Sequence, residues 1–118
     1  MENDDFVAFC PYASRFPYEA WILPKGHAGD FDRIAPPQAA SLGKLLRQIV
    51  RRIEAMPAAD SYNLIVHTSP FDSQGLSHYH WHIELTPRGT RLAGFELGTG
   101  YYINPLPPEV AAEQLRSC

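Results

Sequence analysis

From His78 to Leu85 the chain alternates imidazole or carboxylate residues with large apolar ones, in the run Ser77-His78-Tyr79-His80-Trp81-His82-Ile83-Glu84-Leu85. A period of two belongs to a strand with one buried face, because successive side chains point to opposite sides of a sheet. The run therefore predicts a β-strand over Ser77 to Leu85, with Tyr79, Trp81, Ile83 and Leu85 facing a core. His78, His80 and His82, three of the chain's five histidines, then form a polar row with Glu84. Same-face Cα atoms in a strand lie about 6.6–6.8 Å apart, close enough for neighbouring imidazoles to share one metal ion or one phosphate.

The rest of the chain reads as partners for that strand. Phe6 to Phe9 and Glu19 to Leu23 predict two short strands, separated by Pro11 to Pro17 and ended by Pro24, since proline cannot donate to a ladder. Asp30 to Pro37 reads as a connection. After it, Leu42, Leu45, Leu46, Ile49, Val50, Ile53 and Met56 trace one face of a helix that Pro57 ends. Ser61 to Thr68 predicts a strand with Asn63, Ile65 and His67 on one face, followed by a turn-rich loop from Ser69 to Ser77. This strand and the histidine strand are expected to pair antiparallel. Leu92 to Leu97 and Tyr101 to Ile103 read as further strands joined by Gly98-Thr99-Gly100, and Glu109 to Arg116 as a short helix behind Pro107-Pro108. Strands around one long helix give an α+β fold with a mostly antiparallel sheet, expected as one domain over residues 1–118.

Composition narrows the partners. A net charge of −3 offers no long-range attraction to nucleic-acid phosphates, and no apolar run approaches the ~20 residues of a membrane span. Neither nucleic acid nor membrane is an expected partner. Lys44, Arg47, Arg51 and Arg52 recur at helical spacing and read as a solvated face. Cys10 and Cys118 lack both the CxxC spacing of a zinc site and the density of a disulfide scaffold, which suits the reducing cytoplasm.

Histidines on one face support two chemistries. Neutral imidazole binds zinc or iron through one nitrogen while the other donates to an outer acceptor, so strand histidines with His67 from the neighbouring strand make a three-ligand set, Glu84 being a fourth ligand or an orienter. Alternatively an imidazole attacks an α-phosphoryl group, giving a nucleotidyl-histidine, while its neighbours orient it and protonate the leaving group. Lone His27 reads as structural.

The run His78-Tyr79-His80-Trp81-His82-Ile83-Glu84 fits the His-φ-His-φ-His-φ-φ pattern of the histidine-triad (HIT-like) superfamily. Over a longer stretch, Phe6-Val7-Ala8-Phe9-Cys10-Pro11-Tyr12-Ala13-Ser14-Arg15-Phe16-Pro17-Tyr18-Glu19-Ala20-Trp21-Ile22-Leu23-Pro24-Lys25 resembles the opening of the C-terminal half of galactose-1-phosphate uridylyltransferases. His80 to Pro87 and Ala93 to Pro105 are similar to bacterial members in order and spacing. The resemblance implies a HIT-like fold and nucleoside monophosphate transfer between a UDP-sugar and a sugar 1-phosphate, with a nucleotide or nucleotide sugar as ligand. It also implies two halves, the nucleophile lying in a His-Pro-His-x-Gln motif of the N-terminal half that is absent from this sequence. Residues matching His67, His80 and His82 would form a zinc or iron site completed by a glutamate of that missing half. Glu96, in a stretch matching a hexose-contacting strand, inherits a sugar-hydroxyl role, with Phe95 beside it and Gln74 as a further contact from the loop.

Two registers follow. Under the general triad pattern His80 is the central nucleophile, flanked by His78 and His82, and the chain is a stand-alone nucleotidyl hydrolase or transferase. Under the uridylyltransferase register His80 and His82 take the first two positions, Glu84 replaces the third, and the chain is the sugar-contacting, metal-supporting half. The second register matches more of the chain. The resemblance further implies pairing, as a homodimer or with the missing N-terminal half, for which Tyr101, Tyr102 and Ile103 are candidate contacts.

Overall fold

The computed structural model describes residues 1–57, 61–73, 75–89 and 91–118, so Gln74 and Thr90 lie outside the described residues. Its centre is a four-stranded sheet in the order β1-β2-β4-β3, from β1 (Phe6–Phe9), β2 (Ala20–Pro24), β3 (Tyr62–His67) and β4 (His82–Pro87). Every pairing is antiparallel, as the sequence implies. β4 takes the central place it needs: Ile83 and Leu85 are buried, and its ladder runs from Tyr62↔Pro87 to His67↔His82 on one side and from Ala20↔Leu85 to Ile22↔Ile83 on the other.

Helix α1 (Pro36–Glu54) covers one face of the sheet. Its buried residues Leu42, Leu45, Ile49 and Ile53 recur three and four apart, the spacing that keeps an apolar stripe on one side. They meet Phe6, Ala8, Ile22, Ile83 and Leu85 from the strands and Leu115 from α3 (Pro108–Ser117). Each large side chain so buried contributes about 1.5–3 kcal/mol. The helix starts at Pro36, inside the expected connection, because proline's missing N–H costs nothing at the first position of a helix. Lys44, Arg47 and Arg51 are exposed, as expected, while Arg52 donates to the Leu115 carbonyl and ties α1 to α3.

Two expected elements differ. β4 begins at His82 rather than Ser77, because both neighbouring ladders run out there. The Trp81 N–H instead donates to the Ala28 carbonyl at 2.9 Å, and the Tyr79 N–H closes a turn on the Leu76 carbonyl. Trp81 remains buried, packing against Phe6 and Phe31. His78 is exposed in a turn, so the row of three strand histidines is not formed.

The expected strands over Leu92 to Leu97 and Tyr101 to Ile103 are also absent. Gly94–Thr99 forms a short helix, α2, and residues 101–103 lie in no strand. Local bonds decide it: the Glu96 carboxylate accepts the Ala93 N–H, the Thr99 hydroxyl donates to the Phe95 carbonyl, and Gly100 closes the helix at φ 74°.

β3 is left as a bare sheet edge. Tyr62, Leu64, Ile65 and Val66 are exposed on it, and it carries no Lys, Arg, Asp or Glu. Among the described residues no helix is long and apolar enough to cross a membrane.

Leu85→Ala is expected to lower stability by about 2–5 kcal/mol, read as an earlier urea midpoint. Burial pushes the Cys10 thiol above its ordinary pKa. Since the thiolate is the reactive form, iodoacetamide should label exposed Cys118 well before Cys10 at pH 8, followed by peptide mass.

Candidate metal centre

On the sheet face opposite α1, three rings from three strands stack into a column. Trp21 of β2 lies 4.9 Å from His82 of β4 at 21°, and His82 lies 4.7 Å from His67 of β3 at 16°. The register produces this, since His67 pairs directly with His82 and Trp21 with Glu84. Glu84, buried two positions along the same face, reaches both imidazoles: His67 Nε2 is 3.5 Å from its Oε2 and His82 Nε2 is 3.9 Å from its Oε1. Ligand atoms of His67, His82 and Glu84 all lie within 4.8 Å of one another.

The hydrogen bonds select the atoms that face inward. His82 Nδ1 sits 3.2 Å from the His80 carbonyl, which only accepts, so Nδ1 carries the hydrogen and Nε2 presents a lone pair. His67 Nε2 is buried with no hydrogen-bond partner, although the ring as a whole is over a third exposed. An edge-on ring explains both observations: one edge meets water while Nε2 points at Glu84.

A second layer holds Glu84. The Arg15 guanidinium is 2.7 Å from Glu84 Oε2 and 3.7 Å from Glu19 Oε1. Glu19 is 1% exposed, and its carboxylate accepts the N–H groups of Arg15 and Phe16 and the Trp21 indole N–H at 2.7, 3.3 and 3.1 Å. Tyr18, the only non-glycine residue at positive φ (60°) among those described, turns the chain so that Glu19 folds back on residues 15 and 16. Arg15 and Glu19 carry no site signal in the sequence, because Arg15 lies 69 residues from its Glu84 partner.

The other expected site residues are dispersed. Of the implied metal set His67, His80 and His82, His80 does not join the group. Its Nε2 is 2.8 Å from the Pro24 carbonyl and its ring packs edge-on against His27 at 5.3 Å, where losing the strand geometry at position 80 has turned it. With Nε2 donating to a carbonyl, the lone pair of His80 is on Nδ1. His27 is exposed and touches His80 through its ring. Glu96 is not on a strand; its carboxylate caps α2, and Phe95 is exposed.

The sequence signature of the HIT domain matches residues 1–88. This chain belongs to the HIT domain family. ADP-glucose phosphorylase from Arabidopsis thaliana is 38% identical across 98% of this chain and 33% of its own length. Galactose-1-phosphate uridylyltransferase from Thermotoga maritima is 31% identical across 98% of this chain and 39% of its own. The crystal structure of an A. thaliana ADP-glucose phosphorylase with bound ADP-glucose superposes with a TM-score of 0.93 at 36% identity, over 99% of this chain and 39% of that one. A zinc-bound histidine triad family protein from Mycobacterium smegmatis shares the fold at 21% identity, with a TM-score of 0.67, over 99% of this chain and 79% of that one. The HIT domain described here thus spans well under half the length of the two enzymes it matches.

Two imidazole nitrogens and a carboxylate suit zinc or iron. Ligands about 2.1 Å from a tetrahedral ion stand about 3.4 Å apart; His67 Nε2 and Glu84 Oε2 are 3.5 Å apart, and the whole set lies within 4.8 Å. The orphaned His67 Nε2 supplies the independent sign of fit.

Replacing Glu19 leaves three donors without their acceptor inside the fold. Glu19→Ala is expected to cost about 3 kcal/mol in urea unfolding.

Proposed function

We propose that this HIT domain is the metal-supporting, nucleotide-sugar-contacting half of a nucleotidyltransferase of the galactose-1-phosphate uridylyltransferase and ADP-glucose phosphorylase type. The observation that carries the reading is the convergence of His67, His82 and Glu84 around the unpartnered His67 Nε2. In this role His67, His82 and Glu84 would hold a zinc or iron ion, which would supply a cross-link between β3 and β4. The His80 carbonyl orients His82, the Trp21 ring holds His82 flat, and Arg15 and Glu19 fix Glu84.

The stand-alone alternative needs a histidine with a free, accessible nitrogen. The nitrogens left with a lone pair are His80 Nδ1, since Nε2 is bonded to Pro24, and His82 Nε2, which faces Glu84 from between two rings. The relatives' names and the ADP-glucose bound to one of them support a nucleoside diphosphate sugar as ligand. Glu96 and Phe95, at the start of exposed α2, remain the proposed sugar-side contacts, and Gln74 a third. The proposed working assembly pairs this chain with a second HIT-like half, either another segment or a second copy. Two free cysteines suit the cytoplasm.

The test is intact-mass spectrometry after incubation with UDP-glucose and with ADP-glucose, with metal measured on the same sample. The expected result is about one zinc or iron per chain, lost in His67→Ala and His82→Ala, and no nucleotidyl adduct. An adduct that disappears in His80→Asn or His82→Asn would establish an independent histidine-nucleophile enzyme instead.

A further inference from the structure

Among the described residues Arg15 is the one lysine or arginine in contact with the metal-ligand carboxylate, and it stands where a second cation would have to work. Its guanidinium lies 2.7 Å from Glu84 Oε2, the same oxygen that faces His67 Nε2 at 3.5 Å. A guanidinium keeps its charge at every pH at which the protein folds. A divalent ion bound to that oxygen is therefore repelled by Arg15 at short range.

From this juxtaposition we propose that Arg15 is a resident counter-ion that fills the charge requirement of Glu84 while the site is without metal and swings away when a divalent ion binds. The inference rests on the metal-site reading above. Three observations give Arg15 this character rather than that of a fixed strut. Its side chain is 40% exposed, so water is available to receive it, whereas Glu84 and Glu19 are 9% and 1% exposed at their side chains and cannot leave. Its own backbone N–H, not its guanidinium, makes the shorter bond to Glu19, at 2.7 Å against 3.7 Å, so the loop stays anchored when the side chain moves. The aligned rings and the bond from His82 Nδ1 to the His80 carbonyl position the two imidazoles without any direct contact from Arg15.

Arg15 stands against two carboxylates, Glu84 at 2.7 Å and Glu19 at 3.7 Å. In the exchange His67, His82 and Glu84 would hold the ion and the Arg15 guanidinium would go to solvent. The cost of expelling Arg15 is then subtracted from the metal's affinity, making the site weaker and more reversible than its donor set would otherwise allow. A ligand with a phosphate or carboxylate near the mouth would meet a freed guanidinium only in the metal-loaded state.

The experiment is zinc titration of the full chain against a chromophoric chelator, for the native protein, Arg15→Gln and Arg15→Lys, with His67→Ala as the control for site identity. Removing the competing charge should tighten zinc binding about tenfold or more in Arg15→Gln, while Arg15→Lys stays within about threefold of the native protein. Melting without zinc reports whether each variant folds. In the native protein, phenylglyoxal modification of Arg15, read by peptide mass, should speed up several-fold on adding zinc. Equal or weaker zinc affinity in a folded Arg15→Gln, or Arg15 reactivity unchanged or slowed by zinc, overturns the proposal while leaving the metal site intact. If His67→Ala binds zinc as well as the native protein, the metal-site reading itself fails and this inference falls with it.

Discussion

A carboxylate buried to 1% exposure has to be surrounded by donors, and in this chain the donors that Glu19 collects set the geometry of everything on the sheet's outer face. The N–H groups of Arg15 and Phe16 fold the proline-rich segment before β2 back onto the strand, at the cost of a left-handed Tyr18. The indole N–H of Trp21 comes to the same carboxylate and fixes the ring on which His82 stacks. His82 in turn supports His67. Two side chains with no chemistry of their own, Glu19 and Trp21, thereby decide where two imidazole nitrogens point.

Much of the architecture was legible because periodic burial is a local property of sequence. The stripe from Leu42 to Ile53 and the alternation at Trp81, Ile83 and Leu85 name their buried faces directly, and the strands at Phe6, Ala20 and Tyr62 follow from β-rich runs between breakers. The errors fell where length, not period, decides. A strand extends only as far as its neighbours do, and both neighbours of β4 stop at His82 and Ile83, which alternation in one segment cannot reveal. Leu92 to Ile103 has strand-like composition, but capping by Glu96 and the positive φ of Gly100 close a helix before any ladder is offered.

The site was half legible for the same reason. His67, His82 and Glu84 share a face by parity, so their meeting follows from the pairing of two recognisable strands. His80 has the same parity and is lost because parity holds only inside a ladder. Arg15 was invisible, since nothing near it in sequence shows that a loop residue before β2 will reach a carboxylate in β4.

The uncovered side of β3 has a practical meaning for handling this protein alone. Strand-edge N–H and C=O groups flanked by Leu64, Ile65 and Val66, with no charged or proline gatekeeper between Tyr62 and His67, form a template for adding strands. The modest charge of −3 supplies little repulsion to oppose it. Concentration, rather than temperature, then sets the limit on keeping the isolated chain in solution, and a lysine placed at Ile65 is the simplest change that raises that limit.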